Sequence, residues 1–487
     1  MSTNARIVLA PEQQGLATSR TRVELFLISL LLLFLELACI RWFPAHVLYL
    51  TFFTNTILLT SFLGMSLGCL AARRAQNFIL DTPVLLMIAM AAALGMQLLR
   101  FPLQELLKIG NQASPQVVFF GTEYGSANPS HIFIPIEMVE GFFFFMLALV
   151  LAGPGQELGR ALDRLPNRVT AYSLNIAGSL DGITLFAACS WLELPPFWWF
   201  LVIVLGLGYF LFFSRCVPRS RMPWSRLVFL AGVLVLACLT SGSHKEHGRR
   251  VSEHLWSPYY RIDYDFLNRY IEVNLIGHQT MVSRDAGFPV ALAYPLPYLF
   301  ERDTGGKPFA DVLVIGAGSG NDVSRALQWG ARHVDAVEID PVILRLGKRD
   351  HPDQPYQDPR VTTYSDDGRN FLRSTEGQYD LIVYAPVLHS SYSNLRLESF
   401  LFTREALADV RRHLRLGGLF VMYNFFRQGW IVGRLHEELQ ATFGTEPLVL
   451  TLPYSEVVTP GAFGGVTMFA SGATEGLREA FARQPEY

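Results

Sequence analysis

The stretch Asp311–Asp340, DVLVIGAGSGNDVSRALQWGARHVDAVEID, constrains this chain most. It reads as strand, glycine loop, helix, strand and acid. Asp311–Ile315 is a short apolar run suited to a buried parallel strand. Gly316, Gly318 and Gly320 follow at alternate positions. Glycine admits positive φ and lets backbone approach a ligand closely. Asn321 or Asp322 is placed to cap a helix running to Trp329, and Gly330 suits its C′ position. A second strand, Val334–Ile339, carries Glu338 and leads to Asp340. An acid about twenty residues beyond a glycine loop in a βαβ unit is placed to bind ribose hydroxyls. The glycines alone say less, because glycine-rich turns also serve tight packing.

The spacing narrows the ligand. The dinucleotide fingerprint is GxGxxG, and here the third glycine comes one residue early. The form GxGxG resembles the class I S-adenosylmethionine (SAM) methyltransferases and the spermidine synthases. That resemblance implies a nucleoside-type ligand.

The preceding half has another character. The chain has 487 residues, so two or three domains are expected. Hydrophobic residues make up 51 % of it, and its mean hydropathy is +0.27. A net charge of −2 gives no sign of a nucleic-acid partner. Cys39, Cys69, Cys189, Cys216 and Cys238 lie in or beside apolar segments without zinc spacing, so neither a metal nor a disulfide framework is expected.

Residues 1–22 read as a cytoplasmic tail, without the small-residue cleavage site of a removable signal peptide. Apolar runs recur at 23–43, 47–72, 83–100, 136–156, 170–192, 196–214 and 227–242. Most approach the ~20 residues that span a bilayer, giving an all-α polytopic membrane domain over 23–242. Gly64 and Gly68 form a GxxxG pair, either a close helix contact or chance in a glycine-rich segment. Glu36, Asn55, Glu137, Glu140, Asn175 and Asp181 sit in or beside apolar runs. They serve either function or helix-to-helix hydrogen bonding.

Arg73 and Arg74, then Arg160, Arg164 and Arg168, then Arg215, Arg219, Arg221 and Arg226 fall on the same side as the N-terminal arginines. The positive-inside rule makes that side cytoplasmic. Seven spans would then leave the C-terminal half outside. Residues 227–242 are few for a span, however, and Lys245, Arg249 and Arg250 follow directly. The sequence therefore leans towards a cytoplasmic soluble domain in a multi-pass protein of the bacterial inner membrane.

Residues 243–300 read as linker and β-hairpin region, with short alternating strands and a turn at Ile276-Gly277-His278. From 301 to 487 an α/β domain is expected. A third strand, Arg360–Tyr364, leads into Asp366 and Asp367, which either hold an adenine amine or form an Asx turn before a helix at 369–374. Further strands follow at Tyr379–Tyr384, Leu419–Asn424, 447–452 and 464–470, with helices at 399–414 and 428–443. Seven strands result, the last antiparallel. This pattern resembles the Rossmann-like class I SAM-dependent fold across residues 311–470.

The resemblance is closest to spermidine synthase-like proteins, especially bacterial forms with an N-terminal membrane region. It rests on VLVIGAGSG, VEIDP, DDGRNFL, YDLIV and the upstream hairpin, over roughly the last 230 residues. It implies SAM or decarboxylated SAM as co-substrate and no metal, and it allows a homodimer. Gly316, Gly318, Gly320, Asp322, Glu338, Asp340, Asp366, Asp367 and Gln279 become the expected nucleoside-binding residues. Ser257-Pro258-Tyr259-Tyr260 and Gly277-His278-Gln279 are similar to pocket-closing segments of that family.

Two family acids are missing. The loop aspartate falls at Ser319, and the amine-deprotonating aspartate at Ala385. The acceptor-binding segment is reduced to Ala293-Tyr294-Pro295. A polyamine is a polycation and needs carboxylates, so ordinary spermidine synthesis is not expected. His389-Ser390-Ser391-Tyr392-Ser393-Asn394, with Arg396, occupies the acceptor region. His389 and Tyr384 are therefore the candidate catalytic residues, and Tyr294, Asn394 and Arg396 the candidates for a small-molecule acceptor. A solvated loop is the plain alternative for the His389 segment. The expected protein lies in a lipid bilayer and alkylates an acceptor. Its rivals are a nucleoside sensor regulating the membrane half and a transporter with a vestigial domain.

Overall fold

The computed structural model describes residues 11–47, 50, 54–99, 107–109, 132–134, 136–214, 224–242, 244–246, 249–286, 293–385, 400–424, 429–452 and 466–483. Its contacts fall into two compact units. One contains the described residues from 11 to 244 together with 254–261; the other contains residues 245–253 and the described residues from 262 onward.

The first unit is built from α1 (Pro11–Trp42), α2 (Thr54–Leu70), α3 (Thr82–Leu99), α4 (Ile136–Arg164), α5 (Arg168–Trp191), α6 (Pro196–Phe212) and α7 (Ser225–Leu239). Two short parallel strands, β1 (Leu107–Ile109) and β2 (Ile132–Ile134), lie between α3 and α4 in sequence. Small residues bring helix backbones together. A Cβ on Gly64 would stand 2.4 Å from Ala148 O, and one on Gly68 2.3 Å from Ala152 O, so α2 and α4 touch along the GxxxG pair. Two of the in-run polar residues bond across helices: Ser29 Oγ donates to Asn175 Oδ1 (2.8 Å) and Thr56 Oγ1 to Glu140 Oε1 (2.7 Å).

The segments Ser19–Trp42 and Glu137–Arg164 are long and apolar enough to cross a membrane; α2, α3, α6 and α7 are apolar but shorter. Large apolar side chains are exposed along these helices. They include Leu59, Phe62 and Leu70 on α2, Phe145 and Leu149 on α4, Ile176, Leu180 and Ile183 on α5, and Val228, Val235 and Leu239 on α7.

The two ends of the helical unit differ. At one end Arg20 (3.2 Å) and Arg164 (3.8 Å) meet Glu24, Arg73 meets Asp163 (3.6 Å), and Arg226 meets Asp81 (3.2 Å). At the other, Trp42 packs on Phe200 (ring centroids 5.8 Å), Trp199 on Trp256 (4.9 Å), and Arg261 Nη1 donates to Ala45 O (3.1 Å). The chain thus leaves this unit at the end away from the arginine cluster.

A small sheet follows in sequence, in the order β3 (His244–Glu246), β4 (Arg249–Trp256), β5 (Arg261–Asp265), β6 (Tyr270–Val273) and β7 (Ile276–Thr280). Strands β5, β6 and β7 are antiparallel. The β6–β7 turn is Asn274-Leu275, both at positive φ (49° and 66°), two residues before the expected place. Gly277 belongs to β7, because asparagine tolerates the left-handed region and starts the turn.

The large sheet follows α8 (Leu296–Asp303). It comprises β8 (Asp311–Ile315), β9 (His333–Glu338), β10 (Val361–Ser365), β11 (Tyr379–Tyr384), β12 (Leu414–Asn424), β13 (Leu448–Leu452) and β14 (Val466–Gly472). The order is β10-β9-β8-β11-β12-β14-β13, with β14 antiparallel to both neighbours. This is the Rossmann-like arrangement of class I methyltransferases. Helices α9 (Asn321–Gln328), α10 (Pro341–Asp350), α11 (Gly368–Ser374), α12 (Arg404–His413), α13 (Gly429–Phe443) and α14 (Glu475–Arg483) complete it. Two apolar clusters flank the sheet: Val312, Val314, Val323, Ala385 and Tyr423 lie in one, Leu313, Ile315, Leu372, Tyr384 and Phe420 in the other. The strands reverse direction of winding beside β8, which puts the crevice at the carboxyl ends of β8, β9 and β11.

Candidate functional site

The glycine loop leaves β8 with Gly316, Gly318 and Gly320 at φ of 76°, 57° and 110°. Glycine is required at each, since side chains rarely adopt these angles. Gly316 N and Ala317 N both donate to Val337 O, which turns the loop over the end of β9. The helix α9 has Gly320 as its N-cap; neither Asn321 nor Asp322 caps it.

Glu338 sits directly beneath this loop. Its Oε2 accepts from Gly318 N (2.8 Å) and its Oε1 from Asp340 N (2.9 Å). Burial pushes its carboxyl up to about 7. Next to it, Asp366 N donates to Glu338 O (3.2 Å). Gly318, Glu338 and Asp366 therefore meet at the adjacent carboxyl ends of three strands. Gln279 joins them from β7: its Oε1 accepts from Ser319 N (2.9 Å) and Ser319 Oγ (3.0 Å).

Other expected residues do different work. Asp340 caps α10, accepting from Val342 N and Ile343 N. Asp367 caps α11, accepting from Arg369 N and Asn370 N. An aspartate just before a helix serves the unpaired N–H groups there, and these two carboxylates are so used. Asp366 remains half-buried at the strand end, both oxygens 3.0 Å from Asn370 Nδ2. Asp322 is turned away from the loop and accepts from Tyr423 Oη (2.6 Å). Tyr384 lies within the apolar cluster against Phe420 (5.0 Å), its buried hydroxyl without a hydrogen-bond partner, so it does not join the loop residues. The alternation of β11 sends Tyr384 to one face and Ala385 to the other. His389, Asn394 and Arg396 lie outside the described residues.

Tyr294 does reach the loop region: its Oη accepts from Asn321 Nδ2 (3.1 Å), and its ring meets Tyr423 edge-on at 6.2 Å. Burial pushes its phenol up to about 12.

Tyr356 and His351, which the sequence reading does not single out, hold the loop together with Asn321, read there only as a cap candidate. Tyr356 Oη donates to Gly318 O (2.8 Å) and lies 3.1 Å from Ala317 O. Asn321 accepts from Val282 N (3.0 Å) and His351 Nε2 (3.1 Å), and donates to Thr280 O (2.9 Å). His351 Nδ1 accepts from Asp353 N (3.1 Å), which fixes the neutral tautomer; burial lowers this imidazole to about 4. The polar run His351–Tyr356, interrupting the helical pattern after α10, was the available signal. Gly347 was another: a Cβ there would meet Ser319 O at 2.4 Å.

The buried acids set a pH dependence. Asp322, ordinarily near 3.8, and Glu338, ordinarily near 4.5, are each pushed up by burial to about 7. A raised folded value means stability is complete below pH ~4 and is lost as pH rises through ~7, on the order of 4 kcal/mol for Asp322 and 3 for Glu338. Thermal unfolding of the full chain should show the Tm of the α/β unit falling from pH 5 to pH 7.5. Asp322→Asn should flatten that slope; an unchanged slope would refute the assignment.

Comparison with known proteins finds the following similarities. The spermine/spermidine synthase domain family matches residues 306–481. A polyamine aminopropyltransferase of Buchnera aphidicola is 30 % identical over 167 residues, 33 % of this chain and 54 % of that protein. Polyamine aminopropyltransferase 1 of Pseudomonas aeruginosa is 29 % identical over 172 residues, 34 % of this chain and 57 % of the relative. The chain thus spans just over half the length of these curated relatives. Among solved structures, spermidine synthase from Thermotoga maritima aligns with a TM-score of 0.35 at 14 % identity, covering 50 % of this chain and 77 % of that one. Human methyltransferase-like protein 13 in complex with SAH aligns at 0.29 and 20 % identity, covering 40 % and 89 %. Residues 306–481 thus match the spermine/spermidine synthase domain family and are similar there to the polyamine aminopropyltransferases, on a seven-stranded sheet of Rossmann-like order.

Proposed function

We propose that this protein is a membrane-embedded transferase that binds a SAM-type nucleoside sulfonium and passes its methyl or aminopropyl group to a small acceptor. The observation that carries this is the Glu338 carboxylate beneath Gly318 at the strand ends. Its oxygens take backbone N–H bonds from Gly318, Asp340 and Ile339, and a carboxylate's roughly four acceptor sites leave one for a ribose hydroxyl. Asp366 stands beside it for the adenine amine. A bound sulfonium supplies its own leaving group, so the chain's task is to hold and align. Ordinary polyamine synthesis is disfavoured, because Ala385 directly follows β11 where the family places its proton-accepting acid. That same alanine supports a second reading, a nucleoside sensor.

The membrane reading is supported by the exposed apolar rows on α2, α4, α5 and α7, which a soluble monomer rarely tolerates. If the arginine end is cytoplasmic, the chain emerges from the helices on the other side. The geometry of the helical unit therefore favours an outward-facing C-terminal domain over the cytoplasmic one that Lys245, Arg249 and Arg250 suggest.

Calorimetry of the full chain in lipid nanodiscs with SAM, decarboxylated SAM and methylthioadenosine tests the nucleoside site. At least one should bind, and Glu338→Ala should weaken it by roughly 10- to 100-fold, the value of charge-assisted hydrogen bonds. No heat from any of the three would remove transferase and sensor together.

A further inference from the structure

The position left neutral by Ala385 has a carboxylate nearby, delivered from a different element. Ala385 donates its N–H to Ile315 O. Strand β12 runs parallel beside β11 with Met422 opposite Tyr384, so Tyr423 comes alongside Ala385 on the same sheet face. Tyr423 Oη donates to Asp322 Oδ1 at 2.6 Å, and Asp322 is 4 % exposed. Burial and the negative charge of this acid raise the phenols of Tyr294, Tyr298 and Tyr356 as well as Tyr423, but only Tyr423 hydrogen-bonds to it. Tyr298 Oη is buried with no hydrogen-bond partner, and Tyr356 is committed to the loop carbonyls. Arg325, on the same helix as Asp322, directs Nη1 to Arg284 O and Gln328 Oε1. Among the described residues on this face, Gln279, Tyr294 and Asn321 are uncharged.

We propose that Tyr423 is a catalytic residue, that Asp322 acts through it as a positioning residue and final proton acceptor, and that the acceptor is a neutral thiol, hydroxyl or monoamine rather than a polycation. This rests on the transferase reading. As the nucleophile–carbon bond forms and the carbon–sulfur bond breaks, sulfur leaves as a neutral thioether with the electron pair. The nucleophile's proton passes to Tyr423 Oη, whose own proton moves to the Asp322 carboxylate. A single carboxylate behind a phenol takes one proton but cannot grip a diamine, which needs acids at both ends.

The test is release of methylthioadenosine from decarboxylated SAM, and of S-adenosylhomocysteine from SAM, by the full chain. Propanethiol, propanol and propylamine are compared with putrescine. Turnover with a neutral acceptor should exceed that with putrescine at least tenfold and should rise with pH through about 7, where Asp322 ionises. Tyr423→Phe and Asp322→Asn should each lower kcat by about 10²-fold with methylthioadenosine affinity unchanged. Asp322→Glu should recover part of the loss, and Asp322→Asn should move the pH midpoint upward. Preference for putrescine, or undiminished turnover in both variants, would overturn this proposal and leave the transferase standing. Nucleoside binding without turnover by any acceptor would overturn the transferase and this proposal with it.

Discussion

Replacing Gly347 by valine should lower nucleoside affinity by about 100-fold or more while leaving the fold recognisable. Gly347 lies on α10, and a Cβ there would approach Ser319 O at 2.4 Å and Ser319 C at 2.8 Å. Both are backbone atoms, so no side chain can rotate out of the way, and the glycine loop itself must move. Ser319 N is also the group held by Gln279. A shift of about 1 Å at such a position typically costs about 10²-fold in function, and overpacking costs about 1–3 kcal/mol in stability. Calorimetry with methylthioadenosine and a thermal melt measure the two effects separately. Gly433→Ala is the control, because a Cβ at Gly433 meets nothing within 4 Å. Wild-type affinity in Gly347→Val would mean that the loop does not shape the ligand site.

The second large effect is all-or-none. A fusion after Tyr487 should report the side of the membrane opposite Arg20: alkaline phosphatase active, green fluorescent protein dark. The basis is spatial. Arg20, Arg73, Arg160, Arg164 and Arg226 gather at one end of the seven alternating helices among the described residues of this unit. Trp256 and Arg261 pack at the other end, against Trp199 and Ala45. If each of these helices crosses the bilayer and the arginine end is cytoplasmic, as proposed above, the chain emerges on the outer side. A fluorescent fusion with inactive phosphatase would reverse the orientation or remove one of the crossings.

Much of the α/β unit was legible because its signals are local. Buried parallel strands such as Asp311–Ile315 and Tyr379–Tyr384 are short apolar runs, and the observed strands have those bounds. The glycine loop and the acid on the next strand follow from spacing alone. What failed was deciding which partner an acid takes. Asp340 and Asp367 stand just before helices, where a cap and a ligand contact call for the same residue type. Asp322 could not be placed because its partner, Tyr423, lies 101 residues further along the chain. Tyr384 and Ala385 differ only in which sheet face they meet, and the run YDLIVYA, apolar on both faces, hides that alternation. The β6–β7 turn falls two residues before Gly277 because Asn274, which tolerates positive φ, starts it there.

The side chain of Asn321 has consequences for anyone wishing to redirect this domain. Its oxygen receives Val282 N and His351 Nε2, and its nitrogen gives to Thr280 O and Tyr294 Oη. Both hydrogens and both lone pairs are spoken for, so a newcomer would find no valence there. Retargeting must therefore work through groups with capacity to spare, such as Glu338 and Asp366, while this amide is left alone as the rivet that holds hairpin, helix and bend in register.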